Sequence, residues 1–449
     1  MNSNILKQVG LGIVLLSGVP LWSQVNAATD TAAAPATVED RMQTPPPVSG
    51  AAYPTTYTAE TRSNFLRGGL TFTTAYSDNV LGGTTSNPVS DVSYSILPNI
   101  ALDQTTPRLH WLLSYAPGFT FYQRESSRNQ ANQIVSVDFS YRLSPHVTLS
   151  LRDAFQKSSS VLDQLDLASA AAVTGSTQGV TATVIAPLAD QLNNYGSAEI
   201  TYQFSASDMI GASGTFTNLH YPDPSEVPGL FDSSSQGGSG FFNHRLSRRH
   251  YLGASYQYQR IMSYPTGTQS ETQTNSVMAF YTVYLQPNLS LSVSGGPQHS
   301  NVEQSSLPSV QSWSPAVAAS VGWQARHTNL AASYSRIISG GGGLQGAFHS
   351  NNAGLTLRQR LSRNWNVQAY GAYSINKTVT PLLFLSSPGG HSISGTASVQ
   401  RQLGQHLNAE AGYTRLHQSY NGITAISTAP DINREWVSIS YQFARPLGR

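Results

Sequence analysis

The stretch Trp436-Val-Ser-Ile-Ser-Tyr-Gln-Phe443 alternates apolar and polar residues with a period of two. Successive side chains of a β-strand point to opposite faces, so this stretch predicts a strand with one apolar and one polar face. The apolar face carries Val437, Ile439, Tyr441 and Phe443. The same alternation recurs along nearly the whole chain, which indicates many strands that each separate an apolar phase from water.

The composition argues against two or three ordinary soluble domains in 449 residues. Charged residues make up 11% of the chain, against roughly 25% in an average soluble domain. Ser, Thr, Gln, Asn, Gly and Tyr fill the deficit, and these residues suit strands, wet interiors and membrane interfaces. The net charge is +2, and no run of Lys or Arg resembles a phosphate-binding patch, so we expect no nucleic-acid partner.

The N-terminus predicts export. Lys7 precedes an apolar run from Val9 to Leu21, and Val25-Asn26-Ala27 offers small residues at the usual cleavage spacing. We expect a signal peptide over residues 1–27, with an N-terminal anchor helix as the alternative. No later apolar stretch approaches the roughly 20 residues of a membrane helix, so a membrane-spanning chain must cross with strands. The chain has no cysteine, which excludes disulfides and thiolate chemistry.

Residues 28–62 form an Ala/Thr-rich segment with the triplet Pro45-Pro46-Pro47. Such a segment cannot pair as a central strand, and we expect a disordered periplasmic tail, with a small plug as the alternative. The remaining residues, 63–449, are predicted to form one β domain.

Eighteen strand-like segments follow, with 16 to 20 as the expected range. They lie near 66–78, 91–103, 108–122, 132–143, 147–157, 194–205, 208–221, 239–247, 250–262, 273–285, 288–299, 312–325, 328–338, 347–361, 365–377, 391–403, 406–418 and 433–444. Segments of 10–15 residues are long for a soluble sandwich and suit tilted membrane crossings.

Short and long connectors alternate between these segments. Tight turns such as Ser144-Pro145-His146 and Gln286-Pro287-Asn288 are followed by long links such as 158–192 and 222–238. This rhythm predicts an all-β, antiparallel, up-and-down transmembrane barrel with short periplasmic turns and long extracellular loops, in the bacterial outer membrane. A soluble propeller is the rival, but one strand face here is persistently polar, whereas both faces of a propeller blade need burial.

Alternation also assigns the faces of individual strands. On the segment 406–418, Leu407, Ala409, Ala411 and Tyr413 are expected to face lipid. Tyrosines near strand ends are expected to form the aromatic girdle at the headgroup level, namely Tyr141, Tyr202, Tyr256, Tyr258, Tyr284 and Tyr441.

Charged residues on the polar faces are candidates for the lining of a lumen. They are Asp138, Arg142, Arg152, Glu199, Arg358, Arg360 and Glu410. Opposed acidic and basic side chains could set which solutes pass a constriction. The alternative is that these residues pair with one another and fill the lumen.

Enzymatic and metal sites are not expected. Phe348-His349-Ser350-Asn351-Asn352-Ala353 faintly resembles the His-x-Ser-Asn segment of outer-membrane phospholipases and lipid A deacylases. His349 and Ser350 are adjacent, however, so on a strand they point to opposite faces and the base cannot reach the hydroxyl. No spacing predicts a metal site or a cofactor.

A family resemblance rests on three segments near the first strands. Thr74-Ala-Tyr-Ser-Asp-Asn-Val80 is followed by Asp91-Val-Ser-Tyr94 and Leu97-Pro-Asn-Ile100. Together they resemble the β-barrel porin 2 family of bacterial outer-membrane proteins, over most of residues 66–443. The resemblance implies a barrel, in some members linked to exopolysaccharide production or export. This chain differs from many barrels in continuing six residues beyond Phe443.

These observations predict a porin-like channel for passive passage of small polar solutes or saccharides, with a link to exopolysaccharide export. A structural or adhesive barrel, with its lumen plugged by loop 158–192, is the alternative, and a lipid hydrolase is a weaker one. The expected partners are outer-membrane lipid, the barrel-assembly machinery through the C-terminal strand, and polysaccharide or its export proteins.

Overall fold

A computed structural model describes most of the chain. The described residues are Met42, Thr44, Pro45, 63–83, 87–165, 189–265, 269–304, 308–340, 342–379, 389–421 and 430–447. The predicted signal peptide and nearly all of the predicted tail lie outside this part of the chain, as do residues 166–188 of the predicted plug.

The eighteen predicted strands are confirmed. They are β1 Ser63–Ser77, β2 Asp91–Thr105, β3 Leu109–Tyr122, β4 Gln130–Arg142, β5 Val147–Ser158, β6 Gln191–Gln203, β7 Asp208–His220, β8 Ser233–Arg245, β9 His250–Ser263, β10 Ser270–Gln286, β11 Leu289–Gln304, β12 Val310–Gln324, β13 Thr328–Ser339, β14 Phe348–Arg360, β15 Trp365–Thr378, β16 Gly389–Gln402, β17 Leu407–Asn421 and β18 Asp431–Pro446. Two single 3₁₀ turns, Ser126–Arg128 and Pro224–Glu226, lie in the connections.

All strands belong to one closed antiparallel sheet. Each strand pairs with its neighbours in sequence, and β1 pairs with both β2 and β18, for example at Phe72 opposite Ile439. Closure removes free sheet edges, which is what a sheet within hydrocarbon requires. The ring confirms the barrel and excludes the propeller.

The outer surface is apolar around the ring. Val437, Ile439, Tyr441 and Phe443 of the C-terminal strand are 39–56% exposed, and the register places them beside outward residues of β1 and β17. The predicted faces of β17 and β18 are therefore confirmed. Among the described residues, no helix is long and apolar enough to span a membrane.

The prediction that Tyr284 belongs to the outer aromatic girdle is wrong. Its neighbour Val283 pairs with His250 on the outer face, so Tyr284 points inward and packs edge-on against Tyr251, with ring centroids 5.7 Å apart. Closeness to the strand end was the reason for the girdle assignment, whereas alternation from the outward Tyr281 places Tyr284 on the inner face. The other five girdle tyrosines lie on the outer face.

The inner face is lined by small polar side chains. Ser, Thr and Asn residues of the inward positions are buried, including Thr73, Ser95, Thr282 and Ser300. Many of them bond across strands, as Ser95 Oγ and Thr120 Oγ1 do at 3.1 Å. The long connections all lie at one end of the barrel and the short turns at the other, where the described chain also begins and ends.

The largest difference from a predicted strand boundary is at the start of β8. β8 begins at Ser233, six residues before the predicted start, because Ser233–Gly238 continue the register with β7 and β9. Gly237 and Gly238 are weak strand formers, and here pairing on both sides overrides that preference.

Candidate functional site

The candidate site is the lumen, and the register places all seven predicted lumen residues on the inner face. Asp138, Arg142, Arg152, Glu199, Arg358, Arg360 and Glu410 all occupy inward positions. Their effect on selectivity stays a prediction.

Three of these residues form one charged group on β4, β5 and β6. Arg152 Nε lies 3.0 Å from Asp138 Oδ2, and Glu199 is attracted electrostatically to the same Arg152. The Arg152 side chain is 58% exposed, so this group borders an open part of the lumen.

A second charged group lies on the opposite wall. Arg358 is on β14, nine strands around the ring from Arg152 on β5. Glu410 of β17 is hydrogen-bonded to Ser398 and attracted to Arg358. Each wall therefore carries both arginine and carboxylate side chains. The lumen does not have an acidic wall facing a basic wall, so these residues do not create a simple transverse field.

The sequence reasoning missed a buried ion pair between β1 and β2. Arg67 Nη2 lies 2.7 Å from Asp103 Oδ2, with side chains 20% and 7% exposed. Arg67 shares the inward parity of Thr71 and Thr73, so alternation along β1 could have identified it.

A hydrophobic cluster joins several loops at the long-loop end of the barrel, which is the mouth of the lumen. It joins Ala189, Tyr221, Val227, Leu230, Leu344, Phe348 and Tyr420. These residues come from three loops and from the upper ends of β14 and β17, so the loops fold inward over the barrel. We call this set the mouth cluster.

Residues 161–165, shortly after β5, form a helical turn. Leu162 packs against Leu416 and Ile432 on the inner faces of β17 and β18. Thr120 Oγ1 of β3 donates to Asp163 Oδ1 at 3.4 Å. The start of the predicted plug segment therefore does lie inside the barrel.

Loop residues at this end have shifted ionisation. Burial raises the pKa of the Tyr221 phenol, so the mouth cluster keeps it neutral. Burial opposes ionisation of Asp190, but hydrogen bonds with Lys157 and Ser159 outweigh it and hold the pKa of this carboxyl below its ordinary value. Asp190 thus anchors the end of the loop between β5 and β6 as a carboxylate.

At the other end of the lumen, Met42 contacts the inner wall. It is buried against Met209 and Phe241, with Tyr251 beside them, and its N–H donates to Gln203 Oε1 at 3.3 Å. This part of the N-terminal segment therefore enters the barrel.

The His349–Ser350 pair is arranged as predicted. Ser350 is buried on the inner side, where its hydroxyl bonds Asn376 Oδ1 at 2.7 Å, whereas His349 pairs in register with Ile338 and Lys377 on the other face. Within the described residues, no three histidine or acidic side chains are grouped to hold a metal ion.

A closed ring of 18 strands with an apolar outer belt and a polar interior defines an outer-membrane β-barrel protein. Short turns at one end and long loops at the other give the periplasmic and extracellular sides.

Solved structures with a similar fold are outer-membrane channels and receptors. OccK2 (OpdF) of Pseudomonas aeruginosa is 9% identical, with a TM-score of 0.43 and coverage of 85% of this chain and 98% of that chain. OpdK of Pseudomonas aeruginosa, solved with vanillate, is 10% identical, with a TM-score of 0.42 and coverage of 85% and 99%.

The ferric citrate transporter FecA is 11% identical, with a TM-score of 0.42 and coverage of 83% of this chain. This chain spans 64% of the length of FecA. No family model and no curated protein matches the sequence.

Proposed function

We propose that the chain is a porin-like channel that passes small polar solutes across the outer membrane, with a preference for anions. The observation that carries the proposal is the polar inner face of a closed 18-strand ring. A barrel of this size encloses more space than its side chains fill, and polar groups keep that space hydrated.

The anion preference rests on the charges of the inner face. Its arginines are Arg67, Arg142, Arg152, Arg245, Arg358, Arg360 and Arg434. Its carboxylates are Asp91, Asp103, Asp138, Glu199 and Glu410. On the described strands the arginines exceed the carboxylates, and a lumen of net positive charge raises the local concentration of anions.

Conductance of the purified full chain in planar bilayers tests this proposal. Stepwise current without any partner supports a channel, and a reversal potential in a KCl gradient that favours Cl⁻ supports the charge argument. Stepwise current with a clear K⁺ preference would contradict the anion preference but would still support the channel proposal.

A second candidate is a structural barrel with a plugged lumen, and the mouth cluster favours it. Phe348 is fully buried and Leu344 is 1% exposed, so this closure is well packed. If the native chain is silent and Phe348→Ala conducts, the loops close a channel. If both are silent while the barrel is folded, the structural candidate replaces the channel.

A role in a surface-polysaccharide system stays part of this proposal and rests on the resemblance of Thr74–Val80 and the following segments. The proposal includes no reaction, because His349 and Ser350 lie on opposite faces. Loss of surface polysaccharide in a deletion strain, restored by the native chain, would support the polysaccharide link; unchanged polysaccharide would remove it.

A further inference from the structure

The backbone pairing between β12 and β13 ends partway up the barrel wall, and we call this break in the sheet the parting. Their register runs only from Val317 opposite Arg336 to Gln324 opposite Asn329. These eight residue pairs are the fewest between any two neighbouring described strands, although β12 continues upward to Val310 and stays paired with β11 to its end. The upper half of β12 therefore has a sheet neighbour on one side only.

Pro315 explains where the pairing stops. Gln324 donates its N–H to Asn288 on the β11 side at 2.8 Å, and Ala325 donates to Thr328 on the β13 side. The backbone N–H groups of successive residues point to alternate neighbouring strands. The N–H groups of the odd-numbered residues of β12 therefore point toward β13. The first odd residue above Val317 is Pro315, which has no N–H to donate.

The upper end of β13 turns away from β12, although it stays paired with β14 as far as Ser339 opposite Phe348. Ile338 is 1% exposed and packs against Ile261 on the inner face of β9, which is four strands away around the ring. The following loop is held there as well, because Gly346 N–H donates to Ser263 Oγ at 3.1 Å. An opening therefore remains between β12 and the inward-bent β13.

The opening lies at the level of the outer leaflet. Trp323 and Trp313 mark the two ends of the outward face of β12, ten residues apart. At about 3.3 Å per residue and a tilt of about 40°, this distance spans about 25 Å, the height of the apolar band. The pairing ends at Val317, so the parting occupies the upper part of that band. Trp313 at its rim is 72% exposed.

Unsatisfied polar groups surround this opening. Arg336 pairs in register with Val317 and Asn351 on the outer face, and its Nε is buried without a hydrogen-bond partner. On the inner face, Gln298 and Ser314 are register partners, and both Gln298 Oε1 and Ser314 Oγ are buried and unpartnered. Unpaired backbone and a guanidinium at this depth need water or a polar ligand, since hydrocarbon offers neither.

We propose that the parting is a lateral portal that binds a single-chain anionic amphiphile. Arg336 and Asn351 hold the anionic head, the acyl chain lies against Trp313 and Val317, and the portal leads inward past Ser314. Only three residues of β13 lie beyond its last pair with β12, so the gap admits one chain rather than two. This route adds to axial passage through the lumen and does not depend on it.

Quenching of Trp313 fluorescence tests the portal. The full chain in an uncharged detergent is titrated with 11-bromoundecanoate and, separately, with its methyl ester. We expect saturable quenching by the acid alone, absent from Trp313→Phe and shifted to at least tenfold higher concentration in Arg336→Gln. The matched control is Arg401→Gln, which removes an outward arginine that stacks on Trp365. Equal midpoints for Arg336→Gln and the native chain, or equal quenching by acid and ester, would overturn the proposal.

A second pair of variants keeps the test independent of Arg336. Pro315→Val restores the missing donor and is expected to weaken quenching by closing the gap, whereas Pro297→Val on β11 is expected to leave it unchanged. Heat-modifiable migration on gels verifies folding of each variant. The titration is then repeated in nanodiscs of phosphatidylglycerol and in nanodiscs of phosphatidylcholine. This comparison distinguishes a single-chain ligand from an anionic two-chain membrane lipid. Loss of the signal in phosphatidylglycerol alone would assign the site to a two-chain membrane lipid and overturn the single-chain assignment.

Discussion

Arg152 and Asp138 form an ion pair across β4 and β5, with Nε and Oδ2 3.0 Å apart on the inner wall. The pair is solvated rather than sealed, because the Arg152 side chain is 58% exposed. Its charges therefore act on solutes in the lumen as well as on each other.

Removal of the Arg152 charge is expected to move selectivity toward cations. Arg152→Gln leaves Asp138 and Glu199 without their shared counter-charge, so the local potential becomes more negative. The measurement is the reversal potential in a KCl gradient. Arg415→Gln, which removes an arginine beside Asp431 on the outer face, should not change it. An unchanged potential in Arg152→Gln would place this residue outside the ion pathway.

Met42 should be protected from solvent by its contacts with Met209 and Phe241. The chain has no cysteine, so Met42→Cys introduces a single thiol. We expect this thiol to react with a maleimide on the order of tenfold more slowly than the thiol of Gly404→Cys, because reaction requires local opening. Equal labelling rates would show that the N-terminal segment does not stay inside the barrel.

The Arg67–Asp103 pair is expected to stabilise the barrel strongly. Asp103→Asn leaves a guanidinium in a buried site, and breaking such a pair costs about 3 kcal/mol. Urea unfolding in lipid measures the loss. The exposed pair Arg128–Glu226, at 3.3 Å, is the control, since Glu226→Gln should change stability by no more than about 1 kcal/mol. Similar losses for both variants would contradict the burial argument.

Gly69 should be essential at the seam that closes the barrel. A Cβ there would lie 2.7 Å from the backbone oxygen of Tyr441 on β18 and 3.1 Å from Asn99 Oδ1. Gly69→Ala is therefore expected to destabilise the seam by roughly 1–3 kcal/mol. Gly404→Ala meets nothing within 4 Å and should be neutral. Urea midpoints and the yield of heat-modifiable barrel compare the two, and an undisturbed Gly69→Ala would show that the seam can shift.

Much of the fold was predictable because its signals are local. Alternation on the segment 433–444 placed Val437 and Ile439 toward lipid, and tight turns such as Ser144-Pro145-His146 placed the hairpins. The same alternation put Asp138 and Glu410 on the inner face. Closeness to a strand end was the weaker criterion: it put Tyr284 in the girdle, whereas alternation from the exposed Tyr281 puts it on the inner face.

The arrangement of the lumen was less accessible to sequence reasoning. The pairing of Arg152 with Asp138, the position of Arg358 on the opposite wall and the contact of Leu162 with Leu416 all join distant parts of the chain. Pro315 is visible in the sequence, yet its effect depends on which neighbour its nitrogen faces.

The sequence by itself determined the strands, their two faces and their number, because side-chain alternation follows from the covalent geometry of each strand. Only the tertiary structure decided that β1 meets β18, that residues of three loops pack together at the mouth, and that the pairing of β12 with β13 ends beside Pro315. Those features depend on register and packing between residues far apart in the chain, for which a period of two carries no information.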